Sequence, residues 1–214
     1  LAENSGTTVT LTATTTKAVT SDTVVTITLG GEAINNTDYA TSASTLTILS
    51  GNKTGSLTFT LTDDSIYEGD ETITFSTFSI SGDATYTNQS PSASFTITEN
   101  ESAPTVTLTS SASSVAENGS ALTLTATLSA VTETNVTVSI STSGTGTEGT
   151  DYSTVSDITI VGGATTGTAS FTPTNDSVFE GNETGIIAID TVSGGGGGVT
   201  ENGTQAVTIT ITDD

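Results

Sequence analysis

Carboxylates are the side chains that occur in this sequence in sufficient number to build a reactive or binding site. The 214 residues include 24 Asp and Glu but two basic residues, Lys17 and Lys53, and neither His nor Cys. Without His or Cys the common nucleophile–base pairs are unavailable, so we expect no enzymatic activity. The same absence argues against zinc and copper. Carboxylate oxygens are instead the ligands of Ca²⁺, which takes about six to eight of them.

Most of these carboxylates lie in motifs that occur twice. The pattern Asp-Ser-x-x-Glu-Gly-Asx-Glu-Thr occupies 64–72 and recurs at 176–184. Shorter motifs recur at nearly the same offset: 1–4 as 115–118, 18–20 as 130–132, and 38–39 as 151–152. The chain is therefore predicted to hold two copies of one module. Paired carboxylates could serve a glycosidase, but a cleft for one substrate rarely appears twice, so ion binding is the better interpretation.

The segments between these motifs are predicted to be short β-strands. Thr is abundant, and its branched Cβ favours strands over helices. Aliphatic and polar residues alternate, as at Leu122, Leu124 and Leu128. About seven such strands with polar turns between them indicate an antiparallel sandwich in each copy. The predicted fold class is all-β, with domains at 1–101 and 105–214 and a short linker at 102–104.

The first copy has no counterpart of 104–114, the segment that supplies Val106 and Leu108 to the first strand of the second copy. The first sandwich is therefore predicted to lack its N-terminal strand and to expose a sheet edge. Two explanations stay open at this point. Either the chain is a fragment of a longer protein, or a neighbouring chain donates the strand.

The repeated carboxylates fall mostly at predicted strand ends or in turns, and several such segments of a sandwich can meet at one pole. In a chain with a net charge of −22, gathering these groups without a cation would be strongly unfavourable. The sequence therefore predicts Ca²⁺ at this pole. For any single position, an acidic residue that merely caps and solvates a turn is the simpler alternative.

These motifs resemble those of Calx-β modules. The resemblance rests on Val-Ala-Glu-Asn at 115–118, Gly-Thr-Asp-Tyr at 149–152, the stretch 175–183 and the terminal Asp213-Asp214. It implies a seven-stranded immunoglobulin-like sandwich in each copy, with Ca²⁺ at the pole next to the C-terminal end. The ligands it implies in the second copy are Glu117, Asp151, Asp176, Glu180, Asp213 and Asp214, with Glu183 as a secondary candidate. In the first copy they are Glu3, Asp38, Asp63, Asp64, Glu68, Glu99 and Glu101.

Composition also limits the partners. With two basic residues the chain is not expected to bind nucleic acid, whose phosphates need Lys and Arg, or anionic membranes. No apolar run approaches the length of a membrane span, so membrane insertion is not expected either. Asn-x-Ser/Thr sequons, for example at Asn52 and Asn135, predict glycosylation, although abundant Thr and Ser would also produce them by chance.

The function predicted from these features is a calcium-rigidified spacer that contacts neighbouring repeats of the same chain. Its expected setting is a large bacterial-type surface adhesin or secreted repeat protein, at the cell surface or outside the cell. One alternative is a module that recognises a surface glycan or a protein through its loops, which clustered exposed aromatic residues would favour. Another is a fibre subunit completed by strand donation from a neighbouring chain.

Overall fold

The computed structural model describes residues 1–41, 43–83, 86–88 and 92–213. The chain forms two compact units, of which the first comprises Leu1–Asp64 and Asp70–Asn100 and the second Ser65–Gly69 and Glu101–Asp214. The division after Asn100 lies next to the predicted boundary at 101. The sequence did not indicate that Ser65–Gly69 would group with the second unit, where Tyr67 is one of the buried core residues.

The first unit is a sandwich of two antiparallel sheets. One sheet has the strand order β1-β5-β3 and the other β4-β2-β6-β7, and a 3₁₀ turn at Glu3–Ser5 precedes them. The strands are β1 Thr8–Thr14, β2 Thr23–Gly31, β3 Tyr39–Thr41, β4 Thr45–Ile48, β5 Thr54–Leu61, β6 Glu71–Ser81 and β7 Ser92–Ile97.

Alternation along these strands produces the first core. In β5, Leu57, Phe59 and Leu61 are buried while the threonines between them are exposed, because successive side chains point to opposite faces of a sheet. The ring of Phe59 packs edge-on against that of Phe75 in the other sheet, with centroids 5.1 Å apart. Such aromatic pairs add to the stability that burial alone provides.

The second unit is a larger sandwich. Its sheets have the strand orders β13-β10-β8-β15 and β12-β11-β14-β16-β9. The pairs β15–β8 and β16–β9 are parallel, and the other pairs are antiparallel. The strands are β8 Thr105–Ser110, β9 Ser114–Ala116, β10 Leu122–Leu128, β11 Val136–Gly144, β12 Ile158–Ile160, β13 Thr166–Phe171, β14 Glu183–Gly194, β15 Thr200–Glu201 and β16 Ala206–Thr212.

The prediction of two tandem immunoglobulin-like sandwiches is confirmed. In the second unit β10 lies between β13 and β8, whereas its counterpart in the first unit, β1, is paired on one side by β5 and has no described strand on the other. Among the residues that the structure describes, none takes the place in the first sandwich that β8 takes in the second, as predicted from the missing counterpart of 104–114.

Candidate metal sites

Strand register brings the acidic loops of the second unit to one end of its sandwich. The parallel strands β9 and β16 end together, with Ala116 opposite Thr212. The first residue of β14, Glu183, lies opposite Ile211 near the end of β16. Because β11 is antiparallel to β14, it ends where β14 begins. The residues that follow β9, β11 and β16 and those that precede β14 therefore share this end, which we call the acidic pole of the second unit.

Three carboxylates meet at this pole. Asp151, Glu180 and Glu183 each place one oxygen within 4.8 Å of the others. Asp151 is buried, Glu183 is half-buried and Glu180 is exposed. The group thus reaches from the protein interior to solvent, which gives an ion a path of entry.

The loop between β11 and β12 holds Asp151 in place through hydrogen bonds at both its backbone and its side chain. The amide of Thr147 donates to Asp151 Oδ2 at 2.6 Å, and the Asp151 amide donates to the Thr147 carbonyl at 2.9 Å. The Thr174 amide donates to the Asp151 carbonyl at 2.9 Å. A carboxylate fixed in this way is preorganised to bind a ligand.

The loop between β13 and β14 approaches the end of β16. The Glu180 amide donates to Asp213 Oδ1 at 3.2 Å, which places Asp213 next to the three carboxylates. Asp176, in contrast, accepts a hydrogen bond of 2.7 Å from the Val178 amide two residues along and is exposed. Its Oδ1 thus takes part in a turn of its own loop, while its charge acts on the neighbouring Glu180.

Desolvation and, after it, mutual repulsion raise the pKa values of two carboxyl groups at this pole. The pKa of Glu183 is raised above its ordinary value by partial loss of water and then by the charge and hydrogen bonding of Asp151, with smaller contributions from Glu180 and Asp213. The pKa of Glu180 is raised by the same kind of desolvation and then by the charges of Asp151, Asp176 and Asp213. Negative charge is thus disfavoured at this pole, and a cation would relieve it.

The first unit repeats the arrangement with greater burial. Asp38 is 3% exposed and Glu71 is 7% exposed, and each places a carboxylate oxygen within 4.8 Å of the other. Asp38 Oδ2 accepts a hydrogen bond from the Ile34 amide. Asp38 Oδ1 is buried and accepts none from the described residues. A buried anionic oxygen without a donor is costly unless a cation binds it.

A second pair of carboxylates lies at the same end of the first unit. Glu3 and Glu99 place oxygens within 4.8 Å of each other, and Glu3 is buried. The Glu3 amide donates to the Thr98 carbonyl at 3.2 Å, which ties the start of the chain to the end of β7. The Glu99 amide donates to Asp70 Oδ1 at 3.0 Å. With Asp38, the first unit therefore gathers carboxylates from four segments of the chain.

The two lysines cannot neutralise these groups, because they lie at the other end of the first sandwich. Thr14 and Thr54 pair where β1 ends and β5 begins. Lys17 follows β1 there and Lys53 precedes β5, whereas the acidic segment that contains Asp63 follows the opposite end of β5. The acidic pole of the first unit thus lacks a lysine among the described residues.

The remaining predicted ligands lie in several settings. Asp63 and Asp64 are exposed after β5. Glu117 is buried, and its amide donates to the Thr212 carbonyl at 3.0 Å, one residue before Asp213. Glu68 and Glu101 belong to the second unit by the division of the chain, and Asp214 lies outside the described residues.

Glu71 was not among the predicted ligands, and Glu183 was only a secondary candidate. The signal that could have identified both is their common position, since each is the last Glu of the repeated Glu-Gly-Asx-Glu pattern. All the donors in these groups are carboxylates, the set that Ca²⁺ prefers, and a cation would satisfy the buried Asp38 Oδ1, which accepts no hydrogen bond from the described residues. The residues present therefore fit calcium.

Comparison with known proteins identifies the family. A model described as "Calx-beta domain" matches residues 1–101 and again residues 99–214, in agreement with the two predicted copies. No curated protein sequence matches the chain. Within the part of the chain that the structure describes, no helix is both long and apolar enough to cross a membrane.

Several solved structures are similar to the chain. The apo-form Calx CBD1 domain is 22% identical over 51% of this chain and 97% of its own, with a TM-score of 0.43. The calcium-binding domain CBD12 of CALX1.1 is 16% identical over 89% of this chain and 76% of its own, with a TM-score of 0.40. The adhesin InvE of Yersinia pseudotuberculosis is 13% identical over 96% of this chain and 60% of its own, with a TM-score of 0.41.

Proposed function

Because the chain belongs to the Calx-beta family, with one domain in each half, we propose that both of its units bind Ca²⁺ at their acidic poles. The observation that carries this proposal is the environment of Asp38. Its Oδ1 is buried and accepts no hydrogen bond from the described residues, while Glu71 places a second carboxylate oxygen within 4.8 Å of the Asp38 carboxylate. Solvation of a turn does not explain a buried pair of like charges, and a divalent cation does.

The ligands follow from the groups of carboxylates. In the second unit Asp151, Glu180 and Glu183 would hold the ion, with Asp213 beside them. In the first unit Asp38 with Glu71, and Glu3 with Glu99, would do so. The bound ion would supply positive charge and nothing else. Second carboxylate oxygens, backbone carbonyls or water would complete a shell of about six to eight oxygens.

Calcium would act on these loops as a removable cross-link. An ion that binds only the folded state stabilises it, by about 1.4 kcal/mol per site at a tenfold excess over the dissociation constant. For modules of the extracellular type that constant is about 0.1–1 mM. We therefore assign the chain the role of a calcium-rigidified spacer in a surface adhesin or secreted repeat protein, where calcium reaches such concentrations.

Recognition of a glycan or a protein is the less supported role. Clustered exposed aromatic residues on a loop would favour it. Among the exposed large hydrophobic residues of the described part of the chain, Phe179 is the one aromatic, at 88% exposure, beside the exposed Val178. A single ring does not form the cluster that sugar binding would need, so the spacer role is preferred.

Calorimetric titration of the chain with CaCl₂ at neutral pH tests the calcium proposal, with MgCl₂ as the ion control. The variants Asp38→Asn and Asp151→Asn keep the side-chain shape and remove one charge from each pole. Each should abolish binding at its own group of carboxylates and leave the binding events of the other unit unchanged. Asp190→Asn, an exposed aspartate outside the three groups, is the matched control and should bind as the unmodified chain does.

Two results would refute the proposal. One is an absence of calcium binding up to several millimolar in the unmodified chain. The other is an unchanged number of sites in both Asp38→Asn and Asp151→Asn. Glu183→Gln and Glu71→Gln then test whether these two residues are ligands. Substitution of a ligand should weaken calcium binding at its own pole alone.

A further inference from the structure

Two asparagines of the chain are followed directly by glycine, at Asn118-Gly119 and at Asn202-Gly203. The dipeptide is chemically labile, because glycine has no side chain to shield its backbone nitrogen from the side-chain carbonyl carbon of the preceding asparagine. Glutamate precedes both pairs and a hydroxyl residue follows both, so the local sequence barely distinguishes them. The folded turns do distinguish them.

The turn at Asn118-Gly119 engages the nitrogen that would have to react. The Gly119 amide donates a hydrogen bond of 2.8 Å to the Ala116 carbonyl, which closes a turn directly after β9. A Cβ built on Gly119 would lie 2.8 Å from both Ala116 O and Val115 Cγ2, so the backbone is closely packed at this point. The nitrogen must give up its hydrogen bond and rotate before it can attack, and the fold therefore protects Asn118.

The turn at Asn202-Gly203 leaves the reacting groups uncovered. It connects β15 to β16, and Asn202, Gly203 and Thr204 are all exposed. Neither the side-chain amide of Asn202 nor the backbone amide of Gly203 forms a hydrogen bond with a residue that the structure describes. A Cβ built on Gly203 would meet nothing within 4 Å beyond its chain neighbours. The attack on Asn202 is therefore not hindered by packing.

The backbone of Asn202, in contrast, is anchored. Its amide donates to the Val106 carbonyl at 2.9 Å, and its carbonyl accepts a hydrogen bond of 2.6 Å from Gln205 Nε2. A hydrogen bond to this carbonyl polarises the peptide group between Asn202 and Gly203 and makes its N–H more acidic. Because the nitrogen attacks after it loses this proton, Gln205 favours the reaction.

We propose that Asn202 is a site of spontaneous deamidation in the folded protein. The Gly203 nitrogen attacks Asn202 Cγ and forms a C–N bond, the bond from Cγ to Nδ2 breaks, and ammonia leaves with the proton of the Gly203 nitrogen. The product of this step is a cyclic succinimide. Water then opens the ring at one of its two carbonyl carbons and leaves aspartate or isoaspartate at position 202.

Either product adds a negative charge next to Glu201, whose Oε1 accepts the Gln205 amide in the same turn. Isoaspartate also lengthens the main chain by one carbon, which should loosen the pairing of β15 with β8 and speed hydrogen exchange of the Asn202 amide. The turn precedes β16, whereas the acidic pole of the second unit lies where β16 ends. The reaction is therefore independent of the proposed calcium sites.

The test is incubation of the complete chain at neutral pH and body temperature for several weeks, followed by pepsin digestion in acid and peptide mapping. Deamidation raises the mass of a peptide by about one dalton, and electron-transfer fragmentation separates aspartate from isoaspartate. Breaking one hydrogen bond slows a reaction roughly two- to tenfold, so the peptide with Asn202 should react faster than that with Asn118 by about this factor. In urea, where neither turn persists, the two peptides should react at similar rates.

Two variants assign the signal to this turn. Asn202→Gln should abolish it, because the longer side chain would have to close a larger ring. Gly203→Ala should slow it several-fold, because a methyl group shields the nitrogen. The proposal is overturned if Asn202 gives no product in the folded chain, or if Asn118 reacts as fast as Asn202 there. A preference for Asn202 that persists in urea would show that the folded turn does not set it, and would also overturn the proposal.

Discussion

The two units share a repeated sequence but differ in whether a described strand covers the edge of their equivalent strands, β1 and β10. In the second, β8 covers β10 and the inward side chains of β10 are fully buried, whereas in the first the equivalent edge of β1 has no described strand and Leu11 is half-buried. Both units nevertheless bring carboxylates together at one end. The acidic pole therefore does not depend on a complete sandwich. It depends on the loops around β3, β6 and β7, and on their counterparts in the second unit.

The largest expected difference between the units lies in their cores. Leu124→Ala removes a fully buried side chain and should lower the free energy of unfolding of the second unit by about 2–5 kcal/mol. Leu11→Ala removes its half-buried counterpart and should cost the first unit about 1 kcal/mol. Urea denaturation, monitored by hydrogen exchange at the amides of each unit, measures both changes in the free energy of unfolding.

Duplicating 104–114 ahead of Leu1 sharpens this comparison. If the duplicated strand covers β1, the cost of Leu11→Ala should rise toward that of Leu124→Ala. If Leu11→Ala and Leu124→Ala lowered the free energy of unfolding equally in the unextended chain, the inference that β1 is less covered than β10 would be contradicted. Thr10→Ala, at an exposed position of β1, serves as the control and should change stability little.

The next effect concerns charge in the two poles. With a chelator present, Asp38→Asn should stabilise the first unit, because it removes a buried charge that lies within 4.8 Å of the Glu71 carboxylate. With saturating calcium the same variant should lose about 1.4 kcal/mol or more relative to the unmodified chain, because its site no longer binds. Asp151→Asn should show the same reversal in the second unit, at smaller amplitude because Glu180 is exposed.

Thermal unfolding in EDTA and in calcium measures this reversal. A variant that is destabilised equally in both conditions would show that the aspartate has a structural role, through the hydrogen bonds of its loop, and no role in binding an ion.

The pH dependence of the second unit should follow from Glu180 and Glu183, whose pKa values are raised above 4.5 in the folded state. A raised pKa means that the folded state holds protons more tightly than the unfolded state. The stability from these groups is therefore complete below about pH 4.5 and is lost as pH rises through the folded pKa values. Unfolding in EDTA between pH 4 and 7 should show this loss.

Calcium should reverse the sign of that dependence, because protons compete with the ion for the same oxygens. Asp151→Asn is the matched variant, since the Asp151 charge contributes to both raised pKa values and its removal should flatten the profile in EDTA. An identical profile in Asp151→Asn would contradict the coupling of these three carboxylates.

The smallest expected effect is that of Phe179→Ala. The side chain is 88% exposed, so its loss should change the stability of the second unit by less than about 0.5 kcal/mol. Phe171→Ala, in which a fully buried ring that stacks on Tyr152 is lost, should cost about 3–5 kcal/mol. Comparison of the two urea midpoints checks the assignment of inward and outward faces.

The fold could be predicted because the alternation of aliphatic and polar residues along a strand indicates which side chains are buried. Leu122, Leu124 and Leu128 follow the period of a strand, and the missing counterpart of β8 was visible as a gap between the repeats. The parallel pairing of β9 with β16 was not predictable, since it joins segments that are far apart in the chain and share no turn.

The acidic poles were predictable as a class of site, and most of the carboxylates that lie close together were named from the sequence, among them Asp38, Asp151 and Glu180, whereas Glu71 was not. Turn carboxylates look alike in sequence, and local hydrogen bonds decide which of them turn inward. Asp176 accepts the Val178 amide in its own loop, while Asp151 is held by the Thr147 amide beside Glu180 and Glu183. Backbone geometry of this kind depends on the folded loop and is not encoded in the spacing of the acids.

Thermal unfolding of the unmodified chain in calcium and in EDTA tests the central claim most directly. Calcium in tenfold excess over its dissociation constant should raise the unfolding temperature by several degrees for each occupied unit, and magnesium at the same concentration should do much less. An identical unfolding temperature in calcium and in EDTA would contradict the account and would leave the acidic poles without the ion that explains their buried oxygens.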